Sequence, residues 1–270
     1  MRQEIQQVPT SMRVVVYQLP RTDAVRIRRE IVYRETNAGV LTMDIYYPPD
    51  LKSGAPIPAV AFVSGFPDSR MEAMFGCKLK EMGSYISWAK LAAASGLIAV
   101  TYATTDPAAD IHALLRYVRD NDAALGIDAN RIGLWACSGN VPNALAVLML
   151  GPRDQLKCAV LCYGLMLDFD GSASVAEAAK AFGFVNPGAG KSTADLPQNL
   201  PLLIVRAGRD VPQLNETIDR FMAKALSCNL PVTFKNLPNA PHSFDVLDGS
   251  DASRETIKQM LAFMQFHLLG

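Results

Sequence analysis

Residues 41–47 alternate: Leu41, Met43, Ile45 and Tyr47 are separated by Thr42, Asp44 and Tyr46. A period of two marks a strand with one buried face and one wetter face. The segment 25–33, VRIRREIVY, begins with the same alternation, and Asn37-Ala38-Gly39 lies between the two. That turn chemistry predicts a hairpin-like pair. After Pro58 the pattern changes to short, wholly apolar runs: AVAFV (59–63), LIAV (97–100), IGLW (132–135), AVLC (159–162) and LLIV (202–205). Runs without alternation suit strands buried on both faces, as in a parallel sheet. Between them the period becomes helical. Ile111, Leu114, Leu115 and Val118 share a face, as do Val141, Ala144, Leu145, Leu148 and Met149. The same spacing recurs in Leu214, Ile218, Phe221, Met222 and Ala225, and in Ile257, Met260, Leu261, Met264 and Leu268. A final strand fits at 231–237, PVTFKNL.

Strands alternating with helices predict an α/β fold with right-handed crossovers and helices on both faces of the sheet. An antiparallel start followed by parallel strands makes a mixed, mostly parallel sheet of about eight strands. Nothing in the pattern resembles an interdomain linker, so residues 1–270 read as one domain. Residues 1–20 form an N-terminal extension whose VVVY run (14–17) suits an extra edge strand or a dimer contact. Two connections are long, one from Phe66 to about Ser84 and one from Leu165 to about Leu200. Long connections in compact domains are commonly functional, and 165–200 reads as a small cap insertion.

Composition narrows the function classes. Half the residues are hydrophobic and 19% are charged, which favours a large core over disorder. Lys plus Arg equals Asp plus Glu at 26 each, so no charge excess argues for nucleic acid or an anionic membrane. The start, MRQEIQQVPTSMR, lacks the apolar core of a signal peptide, and no long apolar window suggests a transmembrane helix. The cysteines at 77, 137, 158, 162 and 228 form neither a disulfide ladder nor a zinc-ligand spacing. These features point to free thiols in a cytoplasmic protein without metal or organic cofactor.

The chemistry concentrates at 131–145, RIGLWACSGNVPNAL, where a buried strand runs directly into an amphipathic helix. A tight strand–helix corner exposes its central residue in a strained conformation and demands small neighbours two places to either side. The helix N-terminus adds unpaired N–H groups where an oxyanion would form. The segment Ala136-Cys137-Ser138-Gly139-Asn140 at this corner resembles the Gly-x-Ser-x-Gly elbow of the α/β-hydrolase superfamily, specifically its dienelactone hydrolase-like and small serine esterase group. The resemblance runs from about residue 25 to the end. It departs at Asn140, where a glycine is expected; Asn140 either strains the packing or faces the substrate. Centring the elbow on Cys137, as a cysteine nucleophile would require, places bulky Trp135 where a small residue is needed.

A serine hydroxyl needs a base. His112 and His267 lie in helical segments, whereas His242 lies in N239-A-P-H-S-F after the last predicted strand. The resemblance implies the chain order nucleophile, acid, histidine, and so Ser138, Asp210 and His242. Asp210 follows the LLIVRAGRD strand and would otherwise be a helix cap; Asp168 and Asp170 are alternatives for the acid. Asp245 and Asp248 read as solvent-facing. The resemblance also implies two oxyanion donors, the N–H of Gly139 and the N–H of Phe66. Phe66 lies in Ser64-Gly65-Phe66-Pro67, where relatives often carry His-Gly-Gly. The expected reaction is hydrolysis of a small carboxylic ester or lactone through an acyl-enzyme. Met71, Met74, Phe75, Tyr85 and Trp88 on one side, and Met166, Phe169, Phe182 and Phe184 on the other, are candidates for an apolar pocket. Two other readings share these residues: a non-catalytic binding protein of the same fold, and an acyltransferase or perhydrolase.

Overall fold

The computed structural model describes residues 8–37, 39–50, 55–152 and 154–270. Each predicted strand is present: β1 (Arg26–Thr36), β2 (Gly39–Tyr47), β3 (Ile57–Phe62), β4 (Ile98–Tyr102), β5 (Ile127–Cys137), β6 (Leu156–Cys162), β7 (Leu202–Ala207) and β8 (Val232–Leu237). They form one sheet in the order β1-β2-β4-β3-β5-β6-β7-β8. The β1–β2 and β2–β4 pairs are antiparallel, and the pairs from β4–β3 onward are parallel. The hairpin turn between β1 and β2 includes residue 38, which lies outside the described residues.

Among the described residues the helices are α1 (Asp68–Phe75), α2 (Gly83–Ala94), α3 (Pro107–Asp120), α4 (Asp122–Leu125), α5 (Val141–Leu150), α6 (Ser174–Phe182), α7 (Pro212–Ser227), α8 (Phe244–Leu247) and α9 (Asp251–Leu269). The pleat divides the core in two. Ala59, Ala61 and Val63 face α3, α5 and α7, while Val60 and Phe62 face α2 and α9. Both faces are therefore covered, which is why the central strands read as continuous apolar runs.

Periodicity does not reveal α1, inside the first long connection, α2, at its end, or α6. Helix α2 buries Tyr85, Trp88, Ala89, Leu91, Ala92 and Ala93 and so has no clear polar face. Helix α6 lies inside 165–200. The VVVY run is not an edge strand. Val15 is buried, its N–H donates to Ser87 Oγ at 3.0 Å, and the N–H of Val16 donates to the Asp245 carbonyl at 2.8 Å. Side-chain burial on α2 and single bonds to separate elements hold this segment, in place of a ladder.

Candidate active site

Strand β5 ends at Cys137 and a single 3₁₀ turn, Ser138–Asn140, leads into α5. Ser138 sits at the corner with φ +54°, a left-handed conformation that a serine adopts only under constraint from its surroundings. Its Oγ lies 3.0 Å from His242 Nε2, and His242 Nδ1 lies 2.6 Å from Asp210 Oδ2. The Asp210 side chain is almost fully buried, whereas that of His242 is partly open. With Nδ1–H donated to the carboxylate, Nε2 is left to accept from the serine hydroxyl.

Three separate elements deliver these groups. Asp210 lies just beyond β7, where its second oxygen, Oδ1, accepts from the Val211 N–H at 2.8 Å. Val211, not Asp210, occupies the N-cap position of α7. His242 follows β8, and the two loops are tied by the Gly208 N–H to the Leu237 carbonyl (2.8 Å) and the Arg209 N–H to the Ala240 carbonyl (3.0 Å). The remaining candidates stand elsewhere. Asp168 accepts from the N–H groups of Val175 and Ala176 at the start of α6, and Asp170 pairs with Lys224. His112 and His267 lie on α3 and α9. Burial pushes the Cys137 thiol up to about 12, far from the thiolate a cysteine nucleophile needs.

The loop after β3 lies against the elbow, and its polar groups can be followed one by one. The Ser64 N–H donates to Tyr102 Oη (3.0 Å), and the Ser64 carbonyl accepts from Asn143 Nδ2 (2.7 Å). The Gly65 N–H donates to Asn140 Oδ1 (2.7 Å), and the Gly65 carbonyl accepts from the Val185 N–H (2.8 Å). The Phe66 N–H has a long 3.4 Å contact to Ser64 Oγ. Asn140 therefore does not face a substrate. It is buried, and its Nδ2 donates to Tyr85 Oη and to the Cys137 carbonyl, each at 3.0 Å. The tight approach falls on Gly65 instead: a Cβ there would lie 2.5 Å from the Gly139 carbonyl oxygen and 2.8 Å from Asn140 Cα.

Two rings close over the turn. Phe66 and Phe184 pack edge-to-face at 5.7 Å, and a Cβ on Gly139 would meet the Phe66 ring at 2.7 Å and Phe184 at 3.0 Å. Of the other proposed lining residues, Tyr85, Trp88, Met71 and Met166 belong to the buried core, while Met74 and Phe182 are exposed. Asp245 also departs from expectation. It is buried, accepting from Trp88 Nε1 and Tyr163 Oη at 2.6 Å each, and burial raises its carboxyl above the ordinary range. Asp248 is half-buried and accepts from the hydroxyls of Ser250 and Ser253 at the start of α9.

Among the described residues, no group of three or more His, Cys, Asp or Glu side chains is placed to hold a metal ion. Nor is any helix there long and apolar enough to cross a membrane. A surface cavity of about 420 Å³ beside β1, lined by Arg26, Arg28, Tyr47 and Leu125, contains none of the residues of this site.

The architecture is that of the α/β-hydrolase fold, and the solved structures that share it include several esterases. An esterase from Rhizomucor miehei superposes with a TM-score of 0.68 over 91% of this chain and 84% of its own, at 17% identity. A thermophilic esterase from the planctomycete Thermogutta terrifontis gives 0.64, covering 91% of this chain and 93% of its own, also at 17% identity. Esterase LipW from Mycobacterium marinum gives 0.67, covering 93% and 84%, at 17% identity. No family model and no curated protein sequence matches the chain. At these identities the likeness is one of fold.

Proposed function

We propose that the protein is a serine hydrolase acting on small carboxylic esters or lactones, with Ser138, His242 and Asp210 as its catalytic residues. One observation carries this reading: the unbroken chain of hydrogen bonds from Ser138 Oγ through the imidazole to Asp210. His242 Nε2 takes the hydroxyl proton as Oγ bonds to the substrate carbonyl carbon. Charge moves to the carbonyl oxygen, which the N–H groups of Gly139 and Phe66 receive. Among the described residues, the contact that the Phe66 N–H gives up is a long one. Collapse breaks the bond to the leaving oxygen, which takes the proton from the imidazolium. Water then attacks the acyl-enzyme by the same route, releasing the acid and restoring Ser138.

The esterase neighbours support an ester substrate, and one of them, from Thermogutta terrifontis, is described with butyrate bound. The Phe66 and Phe184 rings against Gly139 support an apolar acyl group of modest size. The 165–200 segment, tied to the oxyanion loop through Val185, serves as a small cap. The dienelactone hydrolase-like assignment rests on the sequence of the elbow.

A fluorophosphonate probe followed by peptide mass spectrometry tests the reading. Labelling at Ser138 that disappears in His242→Ala is expected; a folded protein that resists labelling would sink it. Nitrophenyl esters of increasing chain length, run beside a lactone panel, then define the acyl group.

A further inference from the structure

His242 is held by more than Asp210. Beneath it lies Asp245, a second carboxylate, brought inward by the short helix α8. Its Oδ1 accepts from Tyr163 Oη and its Oδ2 from Trp88 Nε1, each at 2.6 Å. Tyr163 stands at the end of β6 in a left-handed conformation, φ +33°. Its ring meets the His242 imidazole edge-on at 5.0 Å and Phe244 at 5.5 Å. An uncompensated carboxylate is costly in such a place, and among the described residues no lysine or arginine pairs with it. The group facing it that gains a positive charge on accepting a proton is the His242 imidazole. The other titratable groups around it are Tyr85 of α2, Cys137 at the end of β5, Cys162 at the end of β6 and Tyr163 just after it. Burial raises the Asp245 carboxyl, and the hydrogen bonds its two oxygens accept from Tyr163 Oη and Trp88 Nε1 act in the other direction, favouring the ionised form.

We infer that Asp245 is a positioning residue for His242: it fixes the edge of the imidazole through the Tyr163 ring and places a second negative charge behind the imidazolium formed during acyl transfer. The inference rests on the proposed role of His242 as the base. Asp210 orients Nδ1 directly, whereas Asp245 acts on the face of the ring through Tyr163. The Asp245 carbonyl, by accepting from Val16, ties the same loop to the N-terminal segment.

The test uses the full-length protein and two variants, Asp245→Asn and Tyr163→Phe. Two quantities are read. One is the rate of Ser138 labelling by the fluorophosphonate across pH. The other is the midpoint of the His242 imidazole titration by NMR, assigned among the three histidines with His242→Gln. Thermal melts check that each variant is folded. For Asp245→Asn, labelling is expected to slow about ten-fold and the midpoint to fall by about half a unit or more, since removing a negative charge disfavours the imidazolium. For Tyr163→Phe, which keeps the carboxylate, labelling slows several-fold with a smaller change in midpoint. Folded variants with wild-type labelling and an unmoved midpoint would overturn the inference. If Asp245→Asn does not fold, wild-type labelling in Tyr163→Phe overturns it alone. Failure of the wild-type protein to label would instead refute the hydrolase reading, while the titration would still decide whether Asp245 acts on His242.

Discussion

Asn140 occupies a position where the resemblance leads one to expect glycine, yet it is the residue that joins the elbow to the loop after β3, the proposed oxyanion loop. Its amide satisfies the Gly65 N–H on one side and reaches Tyr85 and the Cys137 carbonyl on the other. Replacing it with the expected glycine would leave the buried Gly65 N–H without its acceptor. A buried donor left unpaired costs about 1–3 kcal/mol. Asn140→Gly should therefore lower the melting temperature and slow Ser138 labelling about ten-fold, because the loop bearing Phe66 loses one of its four main-chain ties. Wild-type stability and labelling in this variant would show that Asn140 merely fills space. The adjoining glycine makes the complementary case. Gly65→Ala pushes a methyl group against backbone atoms of Gly139 and Asn140 that cannot turn aside. Turnover of the best nitrophenyl ester should fall by about 10²-fold or more, the scale of losing an oxyanion donor. Urea unfolding should show a loss of about 1–3 kcal/mol, as overpacking does.

At the scale of elements, what could be read from the sequence follows from what each element buries. Strands β3 to β7 lie between two helical layers, so their cores are apolar runs; β1, at the antiparallel edge, stays open on one face, whereas β2 alternates in sequence but is buried on both faces from Met43 to Tyr47, Asp44 and Tyr46 included. Helices α3, α7 and α9 each bury one stripe and show it, whereas α5 is buried from Val141 to Met149 and was legible from its apolar content. Helix α2 escapes because it is buried on most sides, and its Tyr85 and Trp88, candidates for a pocket by sequence, belong to the core. The elbow was legible because strand, corner and helix are contiguous in the chain. The Asp245 network was not. Its partners, Tyr163 and Trp88, lie 82 and 157 positions away, and an aspartate in a loop reads as exposed until the fold brings those donors to it. The same holds for Asn143, Tyr102 and Val185, whose bonds to the loop after β3 join positions that no local pattern links. Sequence therefore indicated which residues could do chemistry, and the fold supplied the groups that hold them.

Across the whole molecule, the loop carrying Phe66 is also secured from behind by Asp68, whose hydrogen bonds hold it and whose charge depends on pH in the sense unusual for a folded acid. Asp68 opens α1 and is buried against the end of β4. Its N–H donates to the Thr104 carbonyl at 2.8 Å, and its Oδ2 accepts from the Thr104 N–H at 3.0 Å. Its Oδ1 has no hydrogen-bond partner among the described residues. Burial pushes this carboxyl up to about 6, with the Thr104 N–H pulling the other way. In the unfolded chain an aspartate ionises near its ordinary value of about 4. Between those limits the folded protein holds a proton that the unfolded chain has released. The Asp68 contribution to stability is thus most favourable below about 4, falls as pH rises through about 6, and stays at its lowest above that. A carboxylate stabilised by a salt bridge would behave in the opposite way. Asp68→Asn removes the charge and keeps an acceptor for Thr104. Its melting temperature should exceed that of the wild type at pH 8, with the gap closing as both are taken to pH 4.5. A variant less stable than the wild type at pH 8 would mean that the carboxylate is compensated where it stands. Because Asp68 joins α1 to β4 directly after Phe66 and Pro67, the charge that lowers stability at neutral pH sits at the root of the proposed oxyanion loop. The variant's Ser138 labelling rate should therefore remain within about three-fold of the wild type, provided that the ties at Ser64 and Gly65, and not the Asp68 charge, set the position of the Phe66 N–H.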